Sequence, residues 1–113
     1  MNDPKTILQV SSPHGNLEAI VEHDERVAYL YLRAPKNEDF GIKSCWIRNH
    51  SSAPEKLDLD GMNQGIPPML PREFCLFPDG SDFLDPDRLR LVWFPEGDGI
   101  ALLEDGEMLA AIP

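Results

Sequence analysis

Hydrophobic and polar positions alternate most clearly from Val27 to Arg33, where Tyr29 and Tyr31 fall on one side of an extended chain and Leu30 and Leu32 on the other. A period of two in residues that favour pleated backbone predicts a β-strand. Upstream, Leu17 to Glu22 fits a strand with Glu18 and Glu22 outward, although Leu17, Ile20 and Val21 also match helical spacing. The strand reading is preferred because Val27–Arg33 needs a partner, and His23-Asp24-Glu25-Arg26 can close a hairpin between them. Thr6 to Ser12 reads as a further short strand, ended by the turn residues Ser12-Pro13-His14-Gly15-Asn16. After a polar loop over residues 34–39, Gly41 to Asn49 is the next strand. Strict alternation there gives one face of Ile42, Ser44, Trp46 and Arg48 and another of Lys43, Cys45, Ile47 and Asn49.

Between His50 and Asp87 the periodicity fails. Prolines at 54, 67, 68, 71, 78 and 86 forbid any long element. Yet Met62, Ile66, Met69, Leu70, Phe74, Leu76, Phe77, Phe83 and Leu84 are too apolar for a disordered linker. The segment is expected to be an ordered, Pro-rich excursion packed across a sheet, with one helical turn near Asp85 to Arg88. Alternation resumes in three closing strands from Arg88 to Ile112. They are joined through Pro95-Glu96-Gly97-Asp98-Gly99 and through Asp105-Gly106, the strongest two-residue hairpin signal in the chain. These strands are apolar on both sides: Leu89, Leu91 and Trp93 against Val92 and Phe94, and Met108, Ala110 and Ile112 against Leu109 and Ala111. A sheet with one wet face should alternate, so the second face needs a cover. The excursion is the expected cover; a following domain, a second copy or a partner are the alternatives. The fold class expected is therefore mainly β: a single antiparallel sheet or small sandwich of about six strands in hairpins, in one domain spanning residues 1–113.

Composition sharpens this picture in one respect. The chain carries 20 acidic and 10 basic residues, a net charge of −10. From Asp79 onward nine acids face only Arg88 and Arg90. Such a surface repels nucleic acid and anionic membranes, and it suits a basic protein partner or plain solvation. No window approaches the roughly 18 apolar residues of a membrane span. Met1 to Lys5 lacks the apolar stretch of a signal peptide, so a cytoplasmic location with reduced Cys45 and Cys75 is expected.

Candidate chemistry is sparse. His14, His23, His50, Cys45 and Cys75 are scattered, without the close pairs that zinc sites use. Asp58-Leu59-Asp60-Gly61-Met62-Asn63 has part of an acidic calcium-loop pattern but lacks its third ligand and its closing glutamate, and reads better as an acidic turn. Ser11, Ser12 and His14 lack a nucleophile elbow. Glu96-Gly97-Asp98-Gly99 is glycine-rich but acidic, which disfavours phosphate. No cofactor, metal or catalytic residue is expected.

Several short pieces, among them Gly15-Asn16-Leu17-Glu18-Ala19, Tyr29-Leu30-Tyr31-Leu32, Ser44-Cys45-Trp46-Ile47-Arg48-Asn49, Pro68-Met69-Leu70-Pro71 and the stretch from Val92-Trp93-Phe94 to Leu103-Glu104, resemble the N-terminal region of bacterial suppressor-of-fused-like proteins. The resemblance implies a non-enzymatic, protein-binding family whose bacterial members act as toxin-neutralising immunity proteins. It also implies a following domain that this sequence does not contain. The expected function is thus a protein-binding module, with Met69, Leu70, Phe74, Trp93 and Phe94 nearest the partner, although each of these also suits a place in the core. The alternatives are a structural N-terminal domain that orients a neighbour through the closing strands and, further off, a small hydrolase.

Overall fold

The computed structural model describes residues 4–96 and 98–113, the side chain of Glu38 excepted. Met1 to Asp3, read above for targeting, and Gly97 of the acidic glycine-rich connection lie outside the described residues.

Seven strands form two antiparallel sheets. The first is a meander of β1 (Lys5–Ser11), β2 (Glu18–His23), β3 (Val27–Arg33) and β4 (Ile42–Asn49). The second is a smaller meander of β5 (Leu89–Trp93), β6 (Ile100–Glu104) and β7 (Glu107–Ile112). The alternation of β3 is realised, with Leu30 and Leu32 fully buried and both tyrosines half-buried on the other face. Ala19, Val21, Ala28, Leu30 and Leu32 of the first sheet pack on Ile100, Leu102, Ala110 and Ile112 of the second in one core, so the molecule is a small sandwich.

The turns follow their local chemistry. Asp24 closes the β2–β3 hairpin, its Oδ1 accepting from the N–H groups of Arg26 and Val27 at 2.7 and 2.9 Å. Burial works against the Asp24 carboxylate, but those two N–H groups and the Arg26 guanidinium outweigh it and hold its pKa below the usual range. In the β6–β7 hairpin Asp105 and Gly106 both adopt positive φ, +51° and +87°, as a two-residue turn requires. Glu104 and Glu107 face each other beside it, and Glu104 is neutralised by Arg48 at 3.1 Å.

Strict alternation fails at three β-bulges, and two of them shape the site. On β4, Tyr29 stands opposite Trp46 while its neighbour Ala28 stands opposite Arg48, so Ile47 is the extra residue. Beyond that point the faces exchange. Asn49 joins Trp46 on the outer face instead of opposing it, and Trp46 Nε1 donates to Asn49 Oδ1 at 2.9 Å. On β7, Leu102 pairs with Ala110 and Leu103 with Met108, leaving Leu109 unpaired and packed on the core. Met108, grouped with Ala110 and Ile112 by simple alternation, is thereby turned outward.

The excursion from His50 to Asp87 is ordered but does not cover the closing strands. It lies over the outer face of the first sheet. The Tyr29 hydroxyl donates to the Pro68 carbonyl, and the Asn49 amide donates to the Leu70 carbonyl at 2.9 Å while accepting the Leu70 N–H at 3.0 Å. The segment folds back on itself through Ala53 N–H to Pro78 C=O and Arg72 N–H to Pro54 C=O, at 2.7 and 2.8 Å. The expected helical turn is a 3-10 turn, Pro86–Arg88, capped by Asp85. The acidic stretch at Asp58 is a cap, its Oδ1 accepting the Gly61 N–H at 3.0 Å over the short helix α1 (Leu59–Asn63). The outer face of the second sheet stays open, with Met108 67% and Val92 36% exposed. Cys45 and Cys75 are both free thiols. Among the described residues no helix is long and apolar enough to cross a membrane.

Candidate functional site: an aromatic cleft at the β4 edge

β4 and β7 are edge strands of their respective sheets and approach one another across one side of the sandwich. Each carries its bulge there. Ile47 and Leu109, the two extra residues, form part of the floor of a cleft of about 670 Å³ that opens on this side. Bulges bend and twist edge strands, and these two fall where the edges of the two sheets meet.

The walls come from the excursion. One is Phe74-Cys75-Leu76-Phe77, entered through a 3-10 turn at Arg72–Phe74; the other is Gly80-Ser81-Asp82-Phe83. Phe74 is 66% exposed, Leu76 90%, Phe77 69% and Phe83 56%. Single exposed apolar residues are ordinary on a protein surface, but four large ones around one concavity are not. The walls are anchored by main-chain geometry. Gly80 sits at φ +100°, and any Cβ there would stand 2.7 Å from the His50 carbonyl oxygen. Ser81 N–H donates to Asn49 C=O at 2.9 Å, and Arg48 Nη1 reaches the Asp82 carbonyl at 3.4 Å.

The electrostatics of the mouth are negative. Of the cations lining the cleft, Arg48 is paired with Glu104, and Arg88 is bound to Asp105. Arg72, just behind the Phe74 wall, is shared between Glu55 and Asp79 at 3.7 and 3.8 Å. Glu73 and Asp82 take part in no ion pair among the described residues, and both are exposed.

Of the five residues expected at a binding surface, only Phe74 lines the cleft. Leu70 engages Asn49 through its backbone, and the Met69 sulfur receives the Ser51 hydroxyl at 3.9 Å. Trp93 packs on the core from β5. The Phe94 ring packs so closely on Gly99 that a Cβ there would stand 2.6 Å from it, and the Phe94 backbone N–H donates to the Gly99 carbonyl. Leu76, Phe77 and Phe83 were visible in the sequence only as apolar residues in a Pro-rich run. Nothing in their spacing marks them as neighbours of Ile47 and Leu109.

The described residues contain no group of three or more metal-binding side chains. The Cys75 sulfur lies 3.4 Å from the Leu70 and Pro71 carbonyls and 3.5 Å from Asn49 Nδ2. His14 sits in the exposed β1–β2 turn, while His50 Nδ1 contacts the main-chain carbonyl of Ser81 at 3.2 Å. Comparison of the chain with protein-family models, with curated proteins and with solved structures gave no match.

Proposed function

We propose that this domain is a protein-interaction module whose cleft takes a short segment of a partner bearing an apolar anchor flanked by lysine or arginine. The observation that carries the reading is the ring of exposed Phe74, Leu76, Phe77 and Phe83 around one cleft. Covering about 100 Å² on each of two such rings, at about 25 cal/mol per Å², yields roughly 5 kcal/mol before the costs of association. The acids Glu73 and Asp82, together with the net charge of −10, select a cationic flank and speed its encounter. Neutralisation of a basic toxin, the role implied by the family resemblance, is one form this binding could take.

The test is selection of twelve-residue peptides from a display library on the folded chain, followed by anisotropy with the enriched peptides. Enrichment of aromatic or aliphatic anchors beside basic residues is expected, with affinity falling at least tenfold in Phe77→Ser and weakening in 0.5 M salt. Absence of any enriched peptide, or binding indifferent to both Phe74→Ser and Phe77→Ser, would refute the reading.

A second reading, an orienting domain that docks a neighbour on the closing sheet, is favoured by the open apolar face at Val92 and Met108. It predicts that Met108→Lys disrupts the interaction while Phe77→Ser does not.

A further inference from the structure

Two histidines that do not line the cleft cluster with one of its wall residues, Phe83. His23 ends β2, and His50 follows β4 directly. Their ring centroids are 5.7 Å apart and nearly perpendicular. The Phe83 ring sits against both, at 5.4 Å from His23 and 4.7 Å from His50. Phe83 belongs to the Gly80–Phe83 wall of the cleft, and the next residue, Leu84, is buried in the core. The two imidazoles are therefore the seat on which that wall rests.

The seat suits neutral imidazoles only. His50 Nδ1 lies 3.2 Å from the Ser81 carbonyl, which can only accept, so the proton is on Nδ1 and Nε2 presents a lone pair. Among the described residues that Nε2 is buried with no hydrogen-bond partner, and so is Nδ1 of His23. A lone pair without a donor is a modest loss, whereas an N–H⁺ in the same place is a charged donor with no acceptor.

The surrounding charges do not rescue it. On β4, Arg48 adds positive charge, and Lys5 of β1 stands opposite His23 in the strand register. In the β2–β3 hairpin, Asp24 is already engaged by Arg26 and by two backbone N–H groups, and Arg26 is itself a cation whose carbonyl accepts the His50 N–H. Glu22 pairs with Tyr29 in the register and so shares its outer face, away from the core, and Glu104 of β6 is held by Arg48. Asp82 of the wall is a further acid, and its side chain is exposed. Burial lowers the His50 pKa from its ordinary value; hydrogen bonding to the Ser81 backbone opposes this, His23 and Arg48 add to the lowering, and the Asp82 backbone opposes it further. A favourable contact between an imidazolium and the Phe83 face does not offset a buried unpaired charge.

The geometry points to an acid-sensitive latch: His23 and His50, while neutral, seat Phe83 and hold the Gly80–Phe83 wall in place, and protonation of either unseats it and deforms the cleft. As a statement about regulation of the cleft, it rests on the binding reading above; the latch itself does not.

The experiment follows both properties on one sample. The imidazole signals of His14, His23 and His50 are titrated by NMR from pH 8 to pH 4.5, with exposed His14 as internal reference. Amide exchange at Ser81–Leu84, corrected for intrinsic rates, is measured over the same range. Exchange should accelerate at least tenfold between pH 7.5 and pH 5, with a midpoint that follows the titration of His23 or His50 rather than that of exposed His14. The double variant His23→Gln, His50→Gln should show a flat profile. Flat exchange in the native chain, the same acceleration in the double variant, or a midpoint matching His14 overturns the latch. If the double variant does not fold, the midpoint comparison in the native chain decides alone. In a parallel arm, a display-selected peptide should bind at least threefold more weakly at pH 5 than at pH 7.5. If the wall loosens but no peptide binds at either pH, the latch stands and the binding reading fails. If a peptide binds equally at both, the cleft stands and its regulation by the latch fails.

Discussion

Replacing Asn49 by alanine should detach the excursion from the sheet, and the cost can be worked out from the structure. Asn49 is 3% exposed. Its Oδ1 accepts from Trp46 Nε1 at 2.9 Å and from Leu70 N–H at 3.0 Å, and its Nδ2 donates to the Leu70 carbonyl at 2.9 Å. Alanine removes these three bonds and the 3.5 Å contact of Nδ2 with the Cys75 sulfur, strands two donors, and leaves the Leu70 carbonyl with only the Cys75 thiol at 3.4 Å. Each stranded buried group costs about 1–3 kcal/mol, the lower end applying where water can enter. Trp46 and Leu70 are half-buried, so water replaces part of the loss and a total of about 3 kcal/mol is expected. That is a large share of the roughly 5–15 kcal/mol that holds a domain together. With a urea slope of about 1.5 kcal/mol per M, the unfolding midpoint should fall by about 2 M. Trp46 emission should also change before the global transition, because its indole N–H loses its partner. Asn49→Asp isolates the donor half: it keeps both acceptor contacts but loses the bond to the Leu70 carbonyl and places a carboxylate in a closed site. A midpoint shift below about 0.3 M in Asn49→Ala would show that the amide does not staple the excursion, and the account of how the cleft wall is held would be wrong.

Two further outcomes follow from the same geometry. Gly80→Ala combines a positive φ of +100° with a Cβ 2.7 Å from the His50 carbonyl oxygen, where backbone cannot yield easily; a loss of about 2–4 kcal/mol by chemical denaturation is expected, and a change under 1 kcal/mol would refute the tight approach. Burial raises the Tyr29 pKa to about 12, with Tyr31 adding to the rise. The folded state therefore holds a proton between about pH 10 and pH 12 that the unfolded chain releases, so this contribution to stability is complete below pH 10 and declines as pH rises toward 12. Tyrosinate absorbance should show a phenol titrating near 12 that disappears in Tyr29→Phe, and titration of both phenols at the ordinary value would contradict the burial.

The strands, hairpins and much of the core were legible in the residues themselves. Val27–Arg33 sorts its leucines from its tyrosines by strand periodicity alone, and Asp105-Gly106 dictates its turn because few other pairs accept two positive φ angles. The candidate site was not legible in this way. Of Met69, Leu70, Phe74, Trp93 and Phe94, only Phe74 reached the cleft, because an apolar side chain serves equally well in a core, under a loop or at a surface. The expected cover of the closing strands went instead to the face bearing Tyr29, Trp46 and Asn49.

What the sequence determined by itself was local: a mainly β chain, its turns, its acidic surface and a Pro-rich segment too apolar to be a linker. Tertiary structure decided which residues meet. A bulge adds one residue between two strands and is visible only in their register, so Ile47 and Leu109 became cleft floor, and Asn49 became the staple, only once β4 and β7 had partners. The proline-rich segment has no period to read, and its course is set by hydrogen bonds to groups more than twenty residues away in the chain, from Tyr29 to Pro68 and from Asn49 to Leu70. Backbone preference acts between neighbours in sequence, whereas a binding cleft is made by neighbours in space.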